Sequence, residues 1–346
     1  MTGLRLKAPN FWWTAPSTPS ALLAPAALVY GAVAARNLDR GRRADLGVPV
    51  LCIGNLTVGG AGKTPTAMAL GKAAIALGRK PGFVSRGYRR RGRSPLLVDP
   101  QAQDAAATGD EPQLLAGIAP TAVGANRKKA AERLISECGC DLVIMDDGFQ
   151  SAQLAMDYAL IAVDARRGLG NWRVFPAGPL RAPLKTQLVH ASAILLIGKG
   201  EAGSAVASES ARSNHTTYRA HLAPIDADRF DGMRVLAFAG IADPQKFVET
   251  LKACGAKVER SLGFPDHHPY DANDIARLSQ EAWGHGLQLV TTAKDAVRLR
   301  SGPEASRMFL KECEVLDVAL AFEAEDTAKS IIRQTLANFH RRRYGV

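Results

Sequence analysis

The chain has 346 residues, which excludes a single average-sized domain and predicts one large or two moderate ones. Hydrophobic residues at 47% and charged residues at 22% lie near globular norms and permit a sizeable core. A net charge of +11 favours a polyanionic partner: nucleic acid, anionic lipid headgroups or a phosphorylated substrate. Cys52, Cys138, Cys140, Cys254 and Cys313 form an odd, scattered set, which predicts reduced thiols in a cytosolic setting.

Near the start, Phe11-Trp12-Trp13 precedes an apolar run over residues 22–35. Arg5 and Lys7 flank it on one side; Arg36, Arg40, Arg42 and Arg43 flank it on the other. A transmembrane helix needs about 20 apolar residues, and this run is shorter and carries Pro25. A signal peptide would have residues 32–35 as its cleavage site, but export would separate a nucleotide site from ATP. An interfacial helix fits best, with tryptophans entering lipid and arginines meeting headgroups; a helix packed on the protein's own core is the alternative.

Residues 48–53 read as a buried strand, and residues 67–77 have a helical composition. Between them runs NLTVGGAGKTPT, residues 55–66. Strand, glycine-rich turn and helix form the context of a P-loop, whose backbone N–H groups and helix N-terminus receive phosphate. The candidate nucleotide-binding residues are Thr57, Val58, Gly59, Gly60, Ala61, Gly62, Lys63, Thr64 and Pro65. Lys63 is expected to reach the β- and γ-phosphates of ATP, and the Thr64 hydroxyl to hold Mg²⁺. Thr57 stands where the usual pattern has glycine, and Gly59 and Gly60 are expected to supply the turn. A glycine-rich turn without nucleotide is the plainer alternative.

A strand at residues 81–85 leads into Arg86 and a run with five arginines among residues 86–93, either an anion-binding segment or a solvated basic loop. Gly109-Asp110-Glu111-Pro112 precedes a helical stretch, residues 113–118; the two carboxylates can cap it, ligate Mg²⁺ or accept a proton. Residues 126–138 form a further helix, and residues 141–145 a buried strand ending at Asp146-Asp147. Acidic residues there are the second half of a P-loop site, binding Mg²⁺ directly or through water. A strand at 158–163, a long Gly/Pro-rich segment at 166–181 and a strand at 193–197 follow; residues 200–213 are a surface helix or loop.

A domain boundary is expected near residues 222–231. Beyond it, strands at 235–239, 257–262 and 287–292 alternate with helices at 244–254 and 274–283; residues 315–319 read as a last strand and 326–340 as a terminal amphipathic helix. The fold class is therefore α/β: a P-loop NTPase-like, mostly parallel sheet flanked by helices, with a second smaller α/β domain. The expected division is residues 1–225, with 324–346 packing back on them, and 226–323. The P-loop, Asp146-Asp147 and Asp164 all fall at strand carboxyl ends, where ligands of such sheets bind.

Together these motifs resemble the tetraacyldisaccharide 4'-kinase family of lipid A biosynthesis. The matching pieces are GNLTVGGAGKTP, SRGY, GDEP, the Asn126-Arg127 helix start, DDGFQ, RRGLGNWRVFPAGPLRAP, FAGIADPQKF, FPDHHPY and TTAKDAVRL, in order from Gly54 to Leu299. Thr57 matches the family pattern; Ser151 departs from it, standing where a histidine is common. The resemblance implies ATP and Mg²⁺ as cofactors and an acylated glucosamine disaccharide 1-phosphate as acceptor at its 4'-hydroxyl. It also implies an N-terminal interfacial helix on the cytoplasmic face of a Gram-negative inner membrane. It assigns Asp110 as base with His267 assisting, and His268 in reserve. Lys63 serves catalysis; Thr64, Asp146, Asp147 and Glu111 are metal candidates; Arg86, Arg127 and Arg181 are phosphate or substrate contacts. Asp110 and His267 come from different expected domains, so a cleft is expected to close to assemble them. The protein is expected to act as a monomer without nucleic acid. A P-loop ATPase working on a partner or nucleic acid is the rival, but no stacking platform of aromatics among basic residues accompanies the charge. A non-catalytic membrane scaffold leaves the GKT and DDG motifs unexplained.

Overall fold

The computed structural model describes residues 8–345 apart from 88, 89, 91 and 93. Arg5, Lys7 and most of the basic run after Arg86 therefore lie outside the described residues. In chain order the strands are β1 (Val50–Gly54), β2 (Pro81–Ser85), β3 (Leu96–Leu97), β4 (Thr121–Val123), β5 (Leu142–Asp146), β6 (Tyr158–Asp164), β7 (Ala193–Ile197), β8 (Thr216–Pro224), β9 (Arg234–Ala239), β10 (Lys257–Gly263), β11 (Gln288–Thr292), β12 (Cys313–Leu316) and β13 (Val318–Phe322). The larger sheet runs β13-β8-β7-β6-β1-β5-β2-β4-β3 and the smaller β10-β9-β11-β12. Both are parallel, save that β3 and β13, the edges of the larger sheet, run antiparallel to β4 and β8.

The helices are α1 (Thr18–Leu22), α2 (Ala24–Arg40), α3 (Lys63–Ala76), α4 (Ala105–Thr108), α5 (Asp110–Ala116), α6 (Arg127–Cys138), α7 (Leu184–Val189), α8 (Glu201–Arg212), α9 (Pro244–Ala253), α10 (Ala272–His285), α11 (Ala293–Arg300), α12 (Glu304–Lys311) and α13 (Thr327–Tyr344). Strand β1 explains the layering. Its side chains alternate between faces, and both faces are buried, as a central parallel strand requires. Val50 and Cys52 pack with Ala130 and Leu134 of α6; Leu51 and Ile53 pack with Leu70 of α3 and Ile331 and Ile332 of α13. The terminal helix thus completes the core behind the P-loop helix. Because β1 lies between β5 and β6, a crevice opens at its carboxyl end.

Residues 315–319, read as one strand, belong to two. β12 ends the smaller sheet, and β13 joins the larger one. Asp317 is the break: its carboxylate accepts from the Val318 amide at 2.8 Å, and its carbonyl from the Ile225 amide at 2.9 Å. A short apolar run cannot reveal a change of sheet, since each half looks equally buried. Strand β8 was masked by its mixed polar sequence, TTYRAHLAP, half-exposed along its length.

Helix α2 is half bare. Leu28, Val29 and Val33 are exposed, as is Leu22 of α1, and Tyr30, Trp172 and Phe175 are partly so. Its inner face approaches closely at Gly31, where an added Cβ would lie 3.5 Å from Pro183 and Val174. No helix among the described residues is long and apolar enough to cross a membrane.

Candidate active site

The crevice beyond β1 is built by the segment from Asn55 to Gly62. Gly62 adopts φ 76° at the start of α3, and a Cβ there would come 2.7 Å from the Ile197 side chain, so only glycine lets the helix begin against β7. Thr57 needs no such freedom. It forms an antiparallel bridge with Leu180, an extended geometry that suits a β-branched residue. Added Cβ atoms at Gly59 and Gly60 would meet nothing within 4 Å, so open space lies over the loop.

A strap from the Gly/Pro-rich segment holds this loop from behind. The Val58 amide donates to Pro179 O at 2.8 Å, and the Arg181 amide to Leu56 O at 2.8 Å. The Arg181 guanidinium donates to Thr57 O at 2.9 Å, Asp147 at 3.0 Å and Gln150 at 3.1 Å. Gln150 in turn donates to Asn55 O at 2.8 Å. Asp147 adopts a left-handed φ of 57°, which turns its carboxylate between Arg181 and Lys63, the latter at 3.7 Å. Burial alone would raise the Asp147 carboxyl, but Lys63 and Arg181 hold it below its ordinary value.

Asp146 is different. It is 3% exposed, and its Oδ2 accepts the Thr64 hydroxyl at 3.0 Å while its Oδ1 is buried without a partner. Burial pushes its carboxyl up to about 6 despite the neighbouring Lys63. An orphaned carboxylate oxygen beside a threonine hydroxyl and a lysine fits a divalent cation. No cluster of three or more His, Cys, Asp or Glu side chains gathers among the described residues. That donor set suits Mg²⁺, which takes one or two carboxylates and completes its shell with water and substrate phosphates.

The second group comes from the smaller sheet. His267 Nδ1 lies 2.7 Å from Asp110 Oδ2, and the Arg298 Nε donates to the same oxygen at 2.8 Å. Lys294 Nζ meets Glu111 Oε1 at 2.6 Å. Burial would raise the Glu111 carboxyl, but the Lys294 ammonium takes it down to about 2. Asp110 is likewise held below its ordinary value by His267 and Arg298 against the effect of burial. The Asp110–His267 pair, expected to be assembled by closure of a cleft, is in contact in this structure.

Other expected residues fall elsewhere. His268 is turned away, its Nε2 2.6 Å from Asp274 and its ring stacked on Phe264, so it is not brought to Asp110. Glu111 is engaged by Lys294 rather than gathered with Asp146 and Asp147. Arg127 is buried and donates to Gly124 O; burial and the nearby Arg86 lower its guanidinium to about 10. Arg86 itself is exposed, and Pro65 lies in the first turn of α3. Ser151 donates to Gly148 O at 2.8 Å, so its hydroxyl closes its own turn.

Lys294, Asp295 and Arg298 were not singled out by sequence, although they lie inside TTAKDAVRL. The signal was there: Lys294 and Arg298 are one helical turn apart on α11, hence on one face, opposite the adjacent Asp110 and Glu111. A further tie joins the sheets at the mouth of the crevice. Arg166 lies 2.5 Å and Arg167 3.4 Å from Asp243, which caps α9.

The model of the family described as tetraacyldisaccharide-1-P 4'-kinase matches residues 19–337. Among relatives, the tetraacyldisaccharide 4'-kinase of Mesorhizobium japonicum is 47% identical over 337 residues, covering 97% of this chain and 98% of the relative. That of Brucella ovis is 48% identical over 339 residues, covering 98% and 99%. Among solved structures, LpxK from Aquifex aeolicus in complex with ATP superposes with a TM-score of 0.72 at 26% identity, covering 92% of this chain and 99% of that one.

Proposed function

The chain belongs to the tetraacyldisaccharide-1-P 4'-kinase family, and from that membership we propose how its residues divide the work. The protein is an ATP-dependent kinase that phosphorylates the 4'-hydroxyl of the lipid A disaccharide precursor. Phosphoryl transfer asks chiefly for positioning, charge neutralisation and an acceptor for the proton. The loop amides from Thr57 to Thr64 and the Lys63 ammonium bind the phosphates of ATP. Thr64, Asp146 and Asp147 hold Mg²⁺, which supplies charge neutralisation at the phosphate oxygens when bound with ATP. Arg181 fixes the loop and Asp147 together rather than approaching the phosphates itself.

Asp110 accepts the proton of the 4'-hydroxyl, and His267 supports it. The observation that carries this reading is the 2.7 Å contact between His267 Nδ1 and Asp110, made across the two sheets beside the P-loop crevice. A carboxylate against imidazole can pass on the proton it accepts. The smaller sheet and its helices form a unit over residues 226–317 that brings His267 to the larger one, with β13 counted in the larger. Asp110→Ala and His267→Ala should each cut turnover by on the order of 100-fold at saturating substrates while ATP still binds. Turnover near that of the unaltered protein in both would discard the assignment.

The bare face of α1 and α2 is the membrane-contacting surface, on the cytoplasmic face of a bacterial inner membrane, with the protein acting as a peripheral monomer. Exposed Leu22, Leu28, Val29 and Val33 support this reading, together with the chain's net charge of +11, which favours anionic lipid.

A further inference from the structure

Asp110 does not stand on His267 alone. Its Oδ2 receives two donors, the His267 ring at 2.7 Å and the Arg298 Nε at 2.8 Å, and both come from the smaller unit. Both are in turn set by one residue, Asp295, which is fully buried in the first turn of α11. On the first path, Asp295 Oδ1 accepts from Arg298 Nη1 at 2.7 Å, so the planar guanidinium spans the two carboxylates. On the second, the same Oδ1 accepts from the Gly240 amide at 3.0 Å, and Gly240 O accepts from the His267 amide at 3.0 Å. His267 holds a left-handed φ of 58°. That conformation is unfavourable for a residue with a Cβ unless its surroundings fix it.

The nest leaves little room for adjustment. A Cβ added at Gly240 would come 3.0 Å from Arg298 Nη1, 3.1 Å from Asp295 Oδ1 and 3.2 Å from the His268 Cβ. Tyr270 donates to Asp295 Oδ1 at 2.8 Å, and the Thr292 hydroxyl to Oδ2 at 2.5 Å, so both oxygens of Asp295 are engaged. Both side-chain donors to Asp110 meet its Oδ2; in the role proposed for Asp110, Oδ1 then serves the incoming hydroxyl.

We infer that Arg298, clamped by Asp295, is a positioning residue for the reaction: it fixes the Asp110 carboxylate so that Oδ1 faces the acceptor, while Asp295 orders the His267 loop through Gly240. This rests on Asp110 being the proton acceptor. The role asks for a fork: a lysine ammonium is a point donor and cannot span two carboxylates in one plane.

The test is steady-state kinetics on the full-length protein with ATP and the acylated disaccharide 1-phosphate. Arg298→Ala should lose kcat by on the order of 100-fold with the KM for ATP changed by no more than about threefold. Added methylguanidinium should restore about tenfold of that loss in Arg298→Ala and nothing in Asp110→Asn. Arg298→Lys, which keeps the charge and secures folding if the alanine variant fails, should still lose about tenfold in kcat. Lysine and alanine variants that both turn over within about threefold of the unaltered protein would overturn the inference. So would a loss that methylguanidinium leaves untouched while the melting temperature falls. Asp110→Asn separates the two ideas. If it is inactive while the Arg298 variants are normal, only the positioning role fails; if it is fully active, the reading of Asp110 fails with it.

Discussion

Burial decides the character of Asp146. One of its oxygens accepts the Thr64 hydroxyl, and the other is buried with no protein hydrogen-bond partner among the described residues. Leaving a buried acceptor unmet costs about 1–3 kcal/mol, and more when the group is charged. A cation held there, as proposed, would relieve that penalty. Asp146→Asn should raise the melting temperature of the nucleotide-free protein by a few degrees, on the order of 1 kcal/mol, and abolish the further rise given by Mg²⁺ with ATP. Melting curves with and without Mg²⁺-ATP decide this; an undiminished Mg²⁺-dependent rise in the variant would remove Asp146 from the metal site. Much of this site was legible in sequence because phosphate binding prescribes both residue type and spacing: Gly62-Lys63-Thr64 after a strand, Asp146-Asp147 at the end of another. Arg298 and Asp295 were not, because the meaning of Arg298 lies in a contact with Asp110 made far along the chain and that of Asp295 in its hold on Arg298. Ser151, which stands where the family commonly has histidine, closes its own turn.

The strap over residues 171–181 links elements that the sequence presents separately. Trp12 Nε1 donates to Pro176 O at 3.0 Å and Ser20 to Ala177 O at 2.8 Å, while Asn171 donates to Ala177 O at 2.9 Å. The same strap pairs with Thr57 and sends Arg181 to Asp147. Charge-assisted hydrogen bonds are worth about 1.5–3 kcal/mol each, so Arg181→Met should raise the KM for ATP or lower kcat by roughly tenfold or more. Kinetics within about twofold of the unaltered protein would show that the strap's backbone alone holds the loop. Cutting away the first helices to test membrane contact would strip the Trp12 and Ser20 bonds as well. Serine at Leu28, Val29 and Val33 removes the bare face and leaves those bonds intact. Full burial of such side chains is worth about 1.5–3 kcal/mol each, so vesicle partitioning of this triple variant should fall at least about tenfold while ATP affinity stays level. Equal partitioning would relocate the lipid-binding surface. Helix α2 was expected from composition, but which of its faces stays bare is set by what packs on the other, where Gly31 lies beside Pro183 and Val174, and no periodicity announces those contacts.

At the scale of the molecule, the units of the two sheets meet at charged contacts that include Asp110 with His267 and Arg298, Glu111 with Lys294, and Asp243 with Arg166 and Arg167. Alternating strands and helices announced both sheets. The place where the chain leaves the second sheet was missed because β12 and β13 adjoin in sequence and differ only in the partner they pair with. That exit has a consequence for redesign. Pro224 and Val318 are partners across one ladder rung, and the Ile225 amide donates to Asp317 O. The smaller unit is therefore an insertion whose two ends emerge side by side from the larger sheet. Such a segment can be excised and its ends joined by a tight turn with little strain, since closing a short gap costs little entropy. A chain with residues 226–316 replaced by an Asn-Gly turn should fold, retain β8 beside β13 and bind ATP, yet transfer no phosphoryl group to lipid. Circular dichroism, nucleotide titration and the transfer assay would read these outcomes one by one. Retained transfer would mean that the inserted unit is dispensable to the chemistry; a surviving ATP site would yield a compact, separable nucleotide module for inhibitor screening.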